Sequence, residues 1–164
     1  MDKKVSVPSL DWIAAYTSQK IIEVTVGKSV KKGKKVSATD VENLVTKALG
    51  VLQSQGVYAM ALFLFSRSGS KDAAKDMNVE EFVATNLLSW LWPLREPSEV
   101  IKKLQGSNEL STDKRFQEVN KAKQEMLQSF ADLTANLDNL LLVRDLYEQT
   151  LIYARYGAKA AKGE

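Results

Sequence analysis

Cysteine and histidine are both missing from this 164-residue chain. Without cysteine there is no disulfide, no thiolate nucleophile and nothing that points to secretion. Without histidine the chain lacks the side chain most used as a general base, a metal ligand and a switch near neutral pH. Together the two absences exclude zinc sites built from nitrogen and sulfur ligands. Catalysis would have to rest on carboxylates, Lys, Tyr or a Ser activated by Lys, so the sequence nominates no catalytic residue, no metal ligand and no cofactor. Long apolar stretches are missing too. The run Val57–Phe65 (V-Y-A-M-A-L-F-L-F) covers nine positions, well short of the about 20 that a bilayer span needs. Met1-Asp2-Lys3-Lys4-Val5 leads into no signal-peptide core. The expectation is a soluble cytoplasmic protein with no membrane contact.

What is present suits one helical domain over residues 1–164. Apolar residues make up 45% of the chain, enough for a single core that buries roughly 70% of the unfolded surface. The Val57–Phe65 run reads as a helix covered on nearly every side, entered through a bend at Gly56, because Ala59, Met60, Ala61 and Leu62 are good helix formers. Ser9 caps a first helix with Leu10, Ile13, Tyr16 or Thr17, Ile21 and Val24 on its inner side. Thr39 and Glu42 have the spacing of a capping box. The helix that follows carries Val41, Leu44, Val45, Ala48, Leu49 and Leu52 at a 3.6-residue period.

Further along, Asn78 and Glu81 open a helix through Leu91 that Pro93 stops, and Pro97-Ser98-Glu99 starts a short turn or helix closing at Gly106. A long helix from about Ser111 shows Phe116, Val119, Met126, Leu127, Phe130 and Leu133, interrupted by Lys123. Asn136 or Asp138 begins a last helix to about Lys159, with Leu140, Val143, Tyr147, Leu151 and Ala154 inward, and residues 160–164 read as a frayed tail. No strand pair and no repeat emerges. The expected architecture is an all-α single-domain bundle of about five to seven helices.

Charge is the second signal. The formal net charge is only +3, yet residues 1–35 hold Lys3, Lys4, Lys20, Lys28, Lys31, Lys32, Lys34 and Lys35 against Asp2, Asp11 and Glu23. That asymmetry suits a polyanionic partner on one part of the surface. Five of these lysines fall between Gly27 and Ser37, and residues 27–38 are expected to be a flexible, Lys-rich loop. The last helix adds a stripe: on an ideal wheel Arg144 and Lys162 share one angle, with Arg155, Glu148 and Lys159 within about 60°. Arg144 and Glu148 have the spacing of an ion pair. The stripe is about 27 Å long, a length that suits a phosphate backbone. A solvated helix face would give the same pattern, and the Lys-rich loop favours the polyanion. Lys47, opposite the apolar stripe of its helix, is a further candidate, with plain solubility as its other role.

Other motifs fail on chemistry. Gly27-Lys28-Ser29 has Ile22 where a phosphate-binding loop needs its first Gly, and Gly33-Lys34 is followed by Lys35 rather than a hydroxyl residue. Asp72, Asp76 and Glu80 sit four apart and could hold a hard cation, but a solvated helix start with Asp72 or Asp76 capping is the simpler reading. Tyr147 belongs to the core stripe, whereas Tyr153 and Tyr156 lie off it and are open candidates for base stacking.

Three stretches carry a family likeness. They are Leu44-Val45-Thr46-Lys47-Ala48 with Gln55-Gly56-Val57-Tyr58-Ala59-Met60-Ala61-Leu62-Phe63-Leu64, then Leu88-Ser89-Trp90-Leu91, then Leu142–Leu151 with Tyr153-Ala154-Arg155-Tyr156-Gly157-Ala158. In order and spacing they resemble the small helical subunit of the type III-B CRISPR effector (the Cmr complex). The chain departs from that pattern at Leu49, Ile152-Tyr153, Gly157 and over 105–136. The resemblance implies a non-catalytic subunit that stacks on itself in a short filament, contacts other subunits of the effector, and lies along guide RNA and target RNA. On the charge pattern above, Lys28, Lys31, Lys32, Lys34, Lys35, Lys47, Arg144, Arg155, Lys159 and Lys162 are the residues expected to meet RNA phosphates. Three other readings stand beside it: a structural adaptor whose cations meet acidic protein partners, a small subunit of a type III-A or type I complex, and a carboxylate-dependent metal nuclease built on Asp72, Asp76 and Glu80.

Overall fold

The computed structural model describes residues 8–96 and 111–163, so the expected turn or helix over 97–106 lies outside the described residues. Seven α-helices and three short 3₁₀ turns occupy the described residues, which contain no strand beyond one isolated bridge. The all-α expectation holds.

Helix α1 (Leu10–Thr25) starts on Ser9, whose hydroxyl accepts the Trp12 N–H. Its inner face includes the expected Ile13, Thr17 and Ile21 but is shifted at both ends. Ile13, Ala14, Thr17, Ser18, Ile21 and Thr25 are buried, while Leu10 is exposed and Val24 half-buried. The hydroxyls of Ser18 and Thr25 donate to the carbonyls of Ala15 and Ile21, which lets small polar side chains face a core without an unmade bond.

Helix α2 (Ala38–Gln55) buries Val41, Leu44, Val45, Ala48, Leu49 and Leu52 as their period predicts. Its cap is one notch earlier than expected. Ser37 and Asp40 form the capping box, not Thr39 and Glu42, and Glu42 is free for another role. Gly56, at φ +93°, bends the chain directly into α3 (Val57–Ser68).

The apolar run is a helix, but it is not wrapped on nearly every side. Val57, Met60, Ala61 and Leu64 are buried, whereas Tyr58 and Leu62 are 37% and 42% exposed. The most enclosed element is α4 (Val79–Leu91), in which every residue from Phe82 to Ser89 is buried. Polar residues do not prevent this. Thr85 donates to the Glu81 and Ser68 carbonyls, Asn86 to Phe82, and Ser89 to Asn86. A capping box of Asn78 and Glu81 opens α4, so neither Asp72 nor Asp76 caps it.

The Trp92–Arg95 turn follows α4, with Trp92 edge-on to Phe130 at 5.2 Å. The long helix expected from Ser111 is two: α5 (Thr112–Lys121) and α6 (Lys123–Leu133), broken at Ala122. Lys123 occupies an apolar-stripe position just after the break, and its ammonium donates to the Gly69 carbonyl at the end of α3. Asn120, one turn earlier, donates to the Lys71 carbonyl and to Asp72. Helix α7 (Leu137–Ala161), capped by Asn136, packs along both α1 and α2, its principal neighbours. It runs past the expected end, and Lys162 at its C-cap bonds Glu42, so the tail is tied down there. At Gly157 an added Cβ would lie 3.1 Å from Ile22 Cγ1, so the missing side chain lets α1 and α7 approach.

Candidate nucleic-acid interface

Residues 27–37 join α1 to α2, and the expected flexible loop is a hydrogen-bonded hairpin. Gly27 N–H donates to the Val36 carbonyl (2.8 Å), Val36 N–H to Lys28 (2.9 Å) and Val30 N–H to Lys34 (2.8 Å). The tip is a 3₁₀ turn, Lys31–Gly33, in which Lys32 takes the left-handed conformation at φ 61°. Two pins hold the hairpin to the body. Val30 and Val36 are buried in the core, and Lys31 N–H donates to the Met77 carbonyl at 2.9 Å. The two valines flank the lysine-rich tip and turn inward, while Lys28, Lys31, Lys32, Lys34 and Lys35 are all exposed. None of the five is in a salt bridge among the described residues.

The last helix contributes a second group. Glu148 lies beside Gln53, which donates to it at 2.8 Å, and Glu42 lies beside Lys159 and Lys162. The two contacts fix α2 and α7 as antiparallel neighbours. The C-terminal end of α7 therefore sits beside the first turns of α2, where the hairpin is also attached. Cations more than 100 residues apart in sequence share one end of the bundle, which no helix wheel could show.

The stripe drawn on the sequence is thus divided. Arg155, Lys159 and Lys162 gather around Glu42: Lys162 bonds one carboxylate oxygen, and Lys159 lies 3.9 Å from the other. The Lys162 hydrogen bond, with the nearby charges of Lys159 and Arg155, outweighs burial and holds the Glu42 carboxyl below its usual range. The Nε of Arg155 is buried with no acceptor among the described residues. Arg144 is half-buried near the other half of α7, and its expected partner Glu148 is taken by Gln53 instead. Lys47 is exposed, over a groove between α2 and α4 that it lines with Asp40, Asn43, Val79 and Glu80. It sits apart from the α7 cations, amid carboxylates.

The rival candidates disperse. Asp72 accepts from Asn120, Glu80 pairs with Arg67 at 2.9 Å, and among the described residues no three acidic side chains gather as a metal site. Tyr147 is fully buried, and burial pushes its hydroxyl far above the usual range. Tyr153 donates to Asp11, and Tyr156 is 64% exposed beside a shallow α1–α7 groove floored by Ala15, Ile22 and Gly157. Glu42 is the residue that sequence reasoning misplaced. Ser37-x-x-Asp40 has the same spacing with a shorter carboxylate at the fourth position, and choosing it would have left Glu42 unassigned. No protein-family model, curated protein or solved structure matches this chain.

Proposed function

We propose that this chain is a non-catalytic small subunit of a type III-B RNA-guided effector of antiviral defence, acting in the cytoplasm. It lies along guide RNA and target RNA beside other subunits and further copies of itself. The family resemblance of the α2–α3, α4 and α7 sequences supports the assignment. The observation that carries RNA contact is the pinned hairpin: five exposed lysines without salt-bridge partners among the described residues, on a scaffold held by Val30, Val36 and the Lys31–Met77 bond. Such a scaffold positions ammonium groups before binding, so less ordering entropy is lost on contact. Ammonium groups neutralise phosphates without reading bases, so binding is sequence-independent.

The test has two parts. The tagged chain, purified from its native host, should bring down guide RNA together with larger partners. For the isolated chain on single-stranded RNA, five phosphate contacts give a logarithmic salt slope of roughly −3.5, at about −0.7 per contact. Lys32→Glu/Lys34→Glu/Lys35→Glu should reduce the slope to roughly −1.4 and weaken binding at least about tenfold. Recovery of protein partners but no RNA, with a flat salt response, would favour the adaptor for acidic proteins.

A further inference from the structure

The cations of α7 are not an open stripe, because a carboxylate from another helix is already seated among them. Three positive groups, Arg155, Lys159 and Lys162, answer the single negative charge of Glu42. The seat is incompletely filled. Lys159 is 48% exposed and too far from Glu42 for a hydrogen bond, and Arg155, one turn before it on α7, has a buried Nε–H without an acceptor among the described residues. Three cations around one carboxylate leave positive charge for a larger anion, and an unbonded buried N–H costs free energy that such an anion would recover.

We infer that Glu42 is a tethered mimic of a phosphate: the seat formed by Arg155, Lys159 and Lys162 binds a phosphodiester group, and Glu42 competes for it from within the same chain. This rests on the reading that a polyanion meets this end of the molecule. A tethered carboxylate acts at a high effective concentration, so it lowers the affinity of the seat for weakly bound single phosphates. A continuous backbone already held by the hairpin lysines overcomes that competition. Glu42 therefore biases the surface toward long polyanions that reach both groups of cations at once.

Glu42→Gln keeps the side-chain shape and removes its charge. Glu118→Gln, at an exposed position of α5, changes net charge equally and serves as the control. Two probes are titrated into each full-length protein: a mixed-sequence single-stranded RNA, followed by anisotropy as KCl is raised, and inorganic tripolyphosphate, followed by the NMR signal of the Arg155 Nε–H. Glu42→Gln should bind tripolyphosphate roughly fivefold or more tightly than Glu118→Gln, a typical coupling between competing ligands. It should also steepen the RNA salt slope by roughly 0.7 for each phosphate admitted. Adding Lys159→Met to Glu42→Gln should abolish the gain. Equal tripolyphosphate affinity of Glu42→Gln and Glu118→Gln overturns the inference, whatever RNA does. A tripolyphosphate gain with no RNA binding by any of the proteins supports the seat and removes the RNA reading.

Discussion

Glu42 takes its partners from the far end of the chain, and this makes stability depend on pH in a defined direction. Its carboxyl is held below the usual range, first by the Lys162 hydrogen bond and then by the charges of Lys159 and Arg155. A carboxyl with a depressed folded-state pKa contributes stability above its unfolded value, about 4.3 for Glu, and loses it as pH falls through the folded value. Glu42→Gln should therefore unfold at lower urea than the wild type at neutral pH. The two midpoints should converge as pH falls below about 4, and an unchanged gap in acid would mean that Glu42 is held by packing alone. Lys123 is the opposite case, a cation whose charged form its surroundings disfavour. A cation placed in an apolar stripe is kept because the Gly69 carbonyl at the end of α3 needs a donor. Its burial lowers the pKa of the ammonium.

Among the elements, α3 and α4 exchange the roles that their composition suggests. Helix α3 carries the longer uninterrupted apolar run, Val57 to Phe65, yet it has one face outward through Tyr58 and Leu62. Helix α4 carries Thr85, Asn86 and Ser89 and is enclosed from Phe82 to Ser89, since each of these side chains bonds a carbonyl in its own helix. The difference should appear in unfolding free energies. Leu87→Ala, at a fully buried site, should cost about 2–5 kcal/mol in urea denaturation. Leu62→Ala should cost less than about 1 kcal/mol, because its side chain keeps much of its contact with water. Equal losses would place α3 at the centre after all. On either side of the break at Ala122, Asn120 and Lys123, one turn apart, both hold the segment after α3.

For the whole molecule, the arrangement of charge depends on how α1, α2 and α7 meet. The hairpin between α1 and α2 adjoins the C-terminal end of α7 because α2 and α7 run antiparallel, as the Gln53–Glu148 and Glu42–Lys162 contacts require. If the hairpin works as a rigid presenter of lysines, loosening it should weaken RNA binding without removing any charge. Val30→Ala deletes a buried pin, should cost about 1–3 kcal/mol of stability, and should lower RNA affinity while leaving the salt slope unchanged. A fall in slope would show that the lysines act one by one, as on a disordered tail. The all-α class, the inner face of α2, the Asn78–Glu81 and Asn136 caps and the abundance of cations near residue 30 were legible from the chain alone. These rest on local physics: residues a few positions apart share a helix face or satisfy each other's amides. Tertiary structure alone decided that residues 27–37 form a pinned hairpin, that α4 rather than α3 is the most enclosed helix, and that Glu42 is seated among the α7 cations. Each depends on partners distant in sequence, through buried valines, back-bonded polar groups and a carboxylate on another helix, and one-dimensional spacing carries no record of which faces meet.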